Sequence, residues 1–313
     1  MIKNIEIIDY KCFNNLKLDG LSQINVITGG NNVGKTALLE ALFIENEIIK
    51  SKSLSFNLDS ILQIAKNRDV HQKGLKRYLE TFIFKVKSDR SFISIGYKNK
   101  YELEDGFKKQ AEELNKDYDG LLVLYKSISS SNILLKSIDN INYINFNINS
   151  LNYRNSSKPT NQRLVDIYFK IQTRGLQDKF LDYLKIIDIN IVRIEPYYID
   201  ERLVLRLNLI NPKQSLISSE IGDTTNRFIE VLALLLSNPN QIIFIDEIDD
   251  AIDYEKSEEI FKAIIEIVQK EKVQLFVTVR DKNRVKILEK VSKELEYKNI
   301  KFIRLLQNLE LVL

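Results

Sequence analysis

Glycine is scarce in this chain, ten in 313 residues, yet Gly29, Gly30 and Gly34 all fall within the octet Gly29-Gly30-Asn31-Asn32-Val33-Gly34-Lys35-Thr36. The octet follows an apolar run, Ile24 to Ile27, and leads into Ala37 to Phe43, where the apolar spacing turns helical. A strand, a glycine turn closed by Lys-Thr, and a helix form a phosphate loop: the glycines let backbone N–H groups turn inward, and the helix points its positive end at the same spot. Lys35 is then placed to reach β- and γ-phosphates, and Thr36 to hold Mg²⁺. The candidate nucleotide-binding residues are Gly29, Gly30, Asn31, Asn32, Val33, Gly34, Lys35, Thr36 and Ala37.

Composition removes several other classes. With 44 % apolar and 28 % charged residues the chain reads as globular, and 46 Lys and Arg against 43 Asp and Glu leave too small a surplus for a general nucleic-acid surface. A single cysteine, Cys12, and a single histidine, His71, exclude a disulfide framework and a Cys/His zinc site. Cys12, beside Phe13, is expected to be a small buried hydrophobe. No signal-peptide pattern and no apolar run of membrane-spanning length is present, so a cytoplasmic protein without a membrane partner is expected.

Alternation at Ile2, Ile5 and Ile7, then Leu16 and Leu18, then Ile24 and Val26, predicts two short strands ahead of the loop strand. Leu38, Leu39, Leu42 and Phe43 predict one sheet-facing side on the helix that follows. Residues 51–80 read as weakly patterned helix, 81–86 with 92–97 as an antiparallel pair, and Lys108 to Asn115 as a short charged helix. Residues 121–149 do not divide into elements, and Asn155 to Thr160 reads as a loop ahead of helices near 161–172 and 175–187. Strands follow near 189–195 and 202–209. From residue 223 onward helix and strand alternate, which predicts a mainly parallel sheet covered on both faces.

Ile242-Ile243-Phe244-Ile245 is apolar throughout, as a central strand requires, and ends in Asp246-Glu247. Two acids at the carboxyl end of a parallel strand face the ligand crevice, where Asp246 can order Mg²⁺ and Glu247 can polarise the attacking water. The candidate catalytic residues are Glu247 and Lys35, and the candidate metal residues Thr36 and Asp246.

Asp246 lies about 210 positions beyond Thr36, far more than in small P-loop kinases and GTPases, and no guanine-reading [NT]-K-x-D is present. Ile5 to Phe13, Ile24 to Leu42, Ser218 to Arg227 and Ile245 to Asp253 together resemble the opening strand, nucleotide core, signature motif and Walker B with D-loop of ABC-type ATPases of the RecF, SMC and OLD-like group, especially small stand-alone members. The resemblance implies an α/β fold, an ABC-type head with a mixed central sheet covered by helices, an N-terminal antiparallel β subdomain and a helical/β insertion. One domain over 1–313 is expected, with its core at 1–50 and 188–313 and an inserted lobe at 51–187. Residues 50–185 match the group only in order of elements.

The resemblance also implies a head-to-tail homodimer or higher oligomer in which Ser219 and Gly222 complete the neighbour's ATP site. The usual second glycine is missing near Thr224, and Ser218 to Asp223 can instead, or as well, be read as a helix cap with Asp223 as capping residue. Where many ABC ATPases carry a phosphate-sensing histidine this chain has Arg280, compatible with binding and unfavourable to fast turnover. Gln63 and Gln72 are both candidates for the glutamine that lines the Mg²⁺ site. The expected function is a slow ATPase, with ATP and Mg²⁺ as cofactors, that controls a separate effector protein, as in antiphage systems. The nuclease module of full OLD-like proteins is not expected here. The alternative is a DNA-binding ATPase of repair or maintenance, drawing on Lys73, Lys76, Arg77, Lys282, Arg284, Lys286, Lys290 and Lys293.

Overall fold

The computed structural model of the chain describes residues 1–50, 58–99, 120–127, 131–137, 153–154, 159–211, 215–306 and 311–312. Strands β1 (Ile5–Tyr10) and β2 (Phe13–Leu18) form a hairpin, and β3 (Ile24–Gly29) feeds the phosphate loop and α1 (Lys35–Lys50). Helices α2 (Asp59–Asn67) and α3 (Gln72–Glu80) precede β4 (Phe84–Ser88), β5 (Phe92–Asn99), β6 (Gly120–Ser127), β7 (Ser131–Ser137) and the two-residue β8 (Tyr153–Arg154). Next come α4 (Asn161–Thr173), α5 (Gln177–Leu184), β9 (Ile191–Ile199), β10 (Arg202–Leu209) and β11 (Leu216–Ile217). The chain ends with α6 (Asp223–Ser237), β12 (Ile242–Ile245), α7 (Ser257–Lys270), β13 (Gln274–Thr278), α8 (Lys282–Glu294), β14 (Ile300–Leu305) and β15 (Leu311–Val312).

Two six-stranded sheets carry the fold. The first, in the order β2-β1-β4-β5-β6-β7, is antiparallel throughout. In the second, ordered β15-β14-β3-β13-β12-β8, only the edge strand β15 is antiparallel. A small antiparallel sheet, β11-β10-β9, is the third. Segment 51–187 shares both large sheets with the rest of the chain, because β4 pairs with β1 and β8 pairs with β12.

Helix α1 differs from the one-sided helix that its sequence predicts. It lies between the two large sheets and is buried on nearly every side, so its polar residues need partners inside the protein. Glu40 takes both Arg68 Nε (2.8 Å) and Nη2 (3.0 Å) together with Lys11, while Glu45 takes Arg90 and the Ser88 hydroxyl (2.7 Å). On β12, Ile243 and Ile245 face the cluster under α4 to α8, and Phe244 faces the α1 side, stacked on Phe276 at 5.6 Å. Burial on both faces is what an uninterrupted apolar strand demands.

Cys12 is exposed, contrary to expectation. It occupies the tight turn between Tyr10 and Phe13, where Lys11 takes a left-handed backbone (φ 52°) and Phe13 takes the buried position. The predicted strand–helix order from 223 onward is observed, and the region 121–149 contains the β6/β7 hairpin. The helix expected at Lys108 to Asn115 lies outside the described residues, as do 155–158 of the predicted loop.

Candidate functional site

Strands β3, β12 and β13 run parallel and side by side, so Gly29, Asp246 and Thr278 reach the same end of the sheet, at the crevice where parallel α/β sheets bind ligands. Two glycines there cannot be replaced without a clash. At Gly29 (φ 148°) a Cβ would lie 2.5 Å from the Leu305 carbonyl oxygen, and at Gly34 (φ 97°) 2.6 Å from Cys12 Sγ and 2.8 Å from the Phe13 ring. The loop is therefore wedged between β14 and the β1/β2 turn, with its shape fixed by packing. Asn32, at φ 60°, turns the loop between them.

Lys35 is buried and donates to the carbonyls of Gly29 (3.1 Å) and Gly30 (2.7 Å), which leaves one of its three protons for a ligand. The first N–H groups of α1 have no partner within the helix, and Ala37 stands among them. Thr36 Oγ1 donates to Asp246 Oδ2 (3.0 Å), and Thr278 Oγ1 donates to Asp246 Oδ1 (2.6 Å) while accepting from the Glu247 N–H (2.7 Å). Burial raises the Asp246 carboxyl above its ordinary pKa, opposed by these two hydroxyls.

Glu247 has a left-handed backbone (φ 52°), an uncommon conformation for a non-glycine residue, at the point where the chain leaves β12 for the short helical turn Ile248–Ala251. Arg280 Nη1 lies 3.3 Å from Glu247, and Arg280 Nη2 bonds Asp250 at 2.7 Å. Burial also raises the Glu247 carboxyl; Arg280 opposes the shift and the neighbouring Asp246, Asp250 and Asp249 add to it. Asp249 Oδ2 takes the backbone N–H groups of Arg280 (3.1 Å) and Asp281 (3.0 Å), which anchors the chain after β13. Burial lowers the pKa of Lys35, with Asp246 and Glu247 acting against it.

A cavity of about 580 Å³ opens over Asn31, Asn32, Gly34, Lys35, Thr36 and Ala37, and is closed by Lys11, Arg68, Glu247 and Arg280. A second, of about 780 Å³, flanks Gly29, Gly30 and Val33 on the α8 side. The hard oxygens of Thr36 and Asp246 suit Mg²⁺, a cation that keeps water and phosphate ligands rather than a full protein cage. Among the described residues no group of three or more His, Cys, Asp or Glu could hold a metal ion.

The structure brings Gly29 to Ala37, Asp246 and Glu247 together. Ser219 and Gly222 are exposed at the start of α6 and line neither cavity. Gly222, not Asp223, is the cap position of α6, and no side-chain cap bond is made there; Asp223 falls inside the first turn. Gln63 is buried on α2, and the Gln72 side chain lies outside the described ones. On α8, Arg284 donates to the Ile252 carbonyl (2.8 Å) and Lys290 pairs with Glu258 (2.6 Å).

Several residues close to the chemistry carry no sequence signal of their own. Thr278 ends an apolar strand and looks like any β-branched strand residue. Arg154 is 1 % exposed and donates through Nη1 to the Asp246 carbonyl (3.0 Å) and through Nε to Glu230 of α6 (3.0 Å). Glu40 with Arg68 and Lys11 shapes the cavity wall; its only trace in the sequence is an acid inside the apolar run Leu38-Leu39-Glu40-Ala41-Leu42.

The chain is 24 % identical to a Helicobacter pylori protein named "ATP/GTP phosphatase", over 95 % of this chain and 90 % of that one. Its fold is similar to that of an SMC head solved bound to the C-terminal winged-helix domain of ScpA, with a TM-score of 0.51, 12 % identity, and coverage of 97 % of this chain and 94 % of that one. No helix among the described residues is long and apolar enough to cross a membrane. The family described as "AAA domain, putative AbiEii toxin, Type IV TA system" matches residues 24–278, from the first residue of β3 to Thr278 beneath Asp246, and the chain belongs to it.

Proposed function

We propose that the protein is a slow, Mg²⁺-dependent, cytoplasmic ATPase in which ATP joins two copies head to tail, and that this self-association controls a separate effector, as in bacterial antiphage defence. The observation that carries the reading is the Thr36–Asp246 bond at 3.0 Å with Glu247 next in sequence, set against a phosphate loop in which Gly29 and Gly34 admit no side chain. Mg²⁺, when bound, neutralises charge developing on the phosphate oxygens. Lys35 binds and orients the triphosphate, Thr36 and Asp246 hold the metal side of the site, and Glu247 accepts a proton from the attacking water.

Two observations support slow turnover and assembly. Arg280 engages the same carboxylate that must polarise water, at 3.3 Å. At the start of α6, Ser219 and the cap residue Gly222 are exposed beside a helix N-terminus, a pattern suited to a phosphate held by another copy. The defence setting draws on the family description, which names a putative toxin of a type IV TA system, and control of a partner is in keeping with an SMC-like head that carries a bound ScpA domain. The ion pairs of Lys290 and the carbonyl bond of Arg284 weigh against a DNA surface on α8.

Steady-state hydrolysis by wild type, Lys35→Ala and Glu247→Gln tests the reading. Glu247→Gln is expected to bind ATP as wild type does and to lose roughly 10²–10⁴-fold in turnover. A Gln variant that hydrolyses at the wild-type rate places the base elsewhere.

A further inference from the structure

Among the described residues Arg154 is the largest of the fully buried side chains, in a two-residue strand at the edge of the parallel sheet. Taking a guanidinium out of water costs several kcal/mol unless its bonds repay it. One of those bonds is aimed at the peptide between Asp246 and Glu247. The Asp246 N–H donates to the Arg154 carbonyl at 2.8 Å, and Arg154 Nη1 donates back to the Asp246 carbonyl at 3.0 Å. Both main-chain polar groups of Asp246 are thus held by one residue. The peptide so held leads directly into Glu247, whose backbone is left-handed.

The same guanidinium reaches in a second direction. Nε donates to Glu230 on α6 at 3.0 Å, and Glu230 is also engaged by Arg163 of α4, whose Nη2 returns to the Tyr153 carbonyl at 2.9 Å. Glu230 lies two turns along the helix that begins at Gly222. Arg154 therefore joins two elements that meet a nucleotide at different points: the strand end carrying Asp246 and Glu247, and the helix whose N-terminus is exposed. Its Nη2 has no partner among the described residues, where the contacts of Nη1 and Nε orient the fork.

We propose that Arg154 is a positioning residue of the ATPase: it sets the Asp246–Glu247 peptide for hydrolysis and ties that peptide to α6, so that engagement of the α6 N-terminus by a second copy is felt at the water-polarising carboxylate. This rests on the assignment of Glu247 and Asp246 above. Binding of the triphosphate is the work of the phosphate loop, so loss of Arg154 acts on turnover and leaves nucleotide affinity intact. A purely structural arginine behaves differently. It would serve only to balance the Glu230 charge, and removing both charges together would then restore everything.

The test separates these outcomes with Arg154→Met paired with Glu230→Gln, with Arg154→Lys, and with Lys35→Ala as control. Thermal midpoint, affinity for a fluorescent non-hydrolysable ATP analogue with Mg²⁺, and kcat and KM for ATP are measured on each. The double variant removes both fully buried charges and leaves half-buried Arg163 its bond to the Tyr153 carbonyl, and is expected to fold and to bind the analogue within about twofold of wild type. Its kcat is expected to fall about 10- to 100-fold, the scale of a small misplacement of a reacting group. Arg154→Lys keeps a charge against Glu230 but has one head where arginine aims two nitrogens, and is expected to stay folded with most of the kcat lost. A double variant with wild-type midpoint and wild-type kcat overturns the inference, as does a folded Lys variant at full kcat. Equal losses of analogue affinity and kcat also overturn it. If hydrolysis by wild type does not depend on Lys35, the ATPase site itself is misplaced; if it does, and the Arg154 variants match wild type, only the positioning role fails.

Discussion

Thr278 joins the two acids of the site through one hydroxyl, and removing that hydroxyl has a calculable cost. Thr278→Val keeps the shape of a fully buried side chain but removes the donor to Asp246 Oδ1 (2.6 Å) and the acceptor for the Glu247 N–H (2.7 Å). The bond to a carboxylate contributes about 1.5–3 kcal/mol and the stranded, partly buried N–H costs about 1 kcal/mol, so the sum is about 2.5–4 kcal/mol. With an m-value of about 3 kcal/mol/M in urea, the unfolding midpoint should fall by about 1 M. Thr278→Ser is the control: it keeps the hydroxyl, loses one methyl, and should cost only about 0.5–1.5 kcal/mol. Urea titrations followed by far-UV circular dichroism give both numbers. A Val variant as stable as wild type, or a Ser variant costing more than the Val variant, would show that packing and not the hydroxyl bridge holds this corner.

Three further outcomes follow from the same geometry. Gly34→Ala should abolish nucleotide binding, because the new methyl meets Cys12 Sγ at 2.6 Å and the Phe13 ring at 2.8 Å in a backbone with φ 97°; equilibrium dialysis with labelled ATP checks it. Lys35→Ala should weaken ATP binding by about 1.5–3 kcal/mol through loss of one charge-assisted contact, and calorimetry that finds unchanged affinity in a folded variant contradicts the site. Arg68→Ala should destabilise the fold without unfolding it, since buried Glu40 keeps Lys11 but loses two bonds of 2.8 and 3.0 Å; a thermal midpoint equal to that of wild type would contradict this.

The parts of the site legible in the sequence are those held by local rules. The phosphate loop needs glycine at Gly29 and Gly34 because neighbouring atoms leave no room, and glycine spacing is visible in the chain. The apolar strand ending in Asp246 and Glu247 is visible for a similar reason, since burial on both faces leaves an unbroken run. What stayed hidden depends on contacts between distant positions. Arg154 and Asp246 are 92 positions apart, and no period or spacing links them. A two-residue strand containing arginine breaks the rule that central sheets are apolar, and it does so because Glu230 and a carbonyl supply the arginine's partners. Cys12 was expected inside because cysteine packs as a hydrophobe; the turn gave that position to Phe13 instead. The sequence also misassigned the α6 cap by one residue, since Asp223 is an apt capping residue wherever geometry allows and here Gly222 holds the position.

The central claim is that ATP assembles the protein, because one copy carries the phosphate loop with Asp246 and Glu247 while the exposed Ser219 and Gly222 offer the complement to another. Light scattering on wild type and Ser219→Arg, each with Mg²⁺ and a non-hydrolysable ATP analogue at concentrations where binding is demonstrated, tests it most directly. A ligand that binds the closed assembly preferentially must drive self-association. Wild type is predicted to double in mass or more on adding the analogue, and Ser219→Arg to bind the analogue and keep its unliganded mass. Wild type and variant of equal mass, each unchanged by bound nucleotide, would contradict the account.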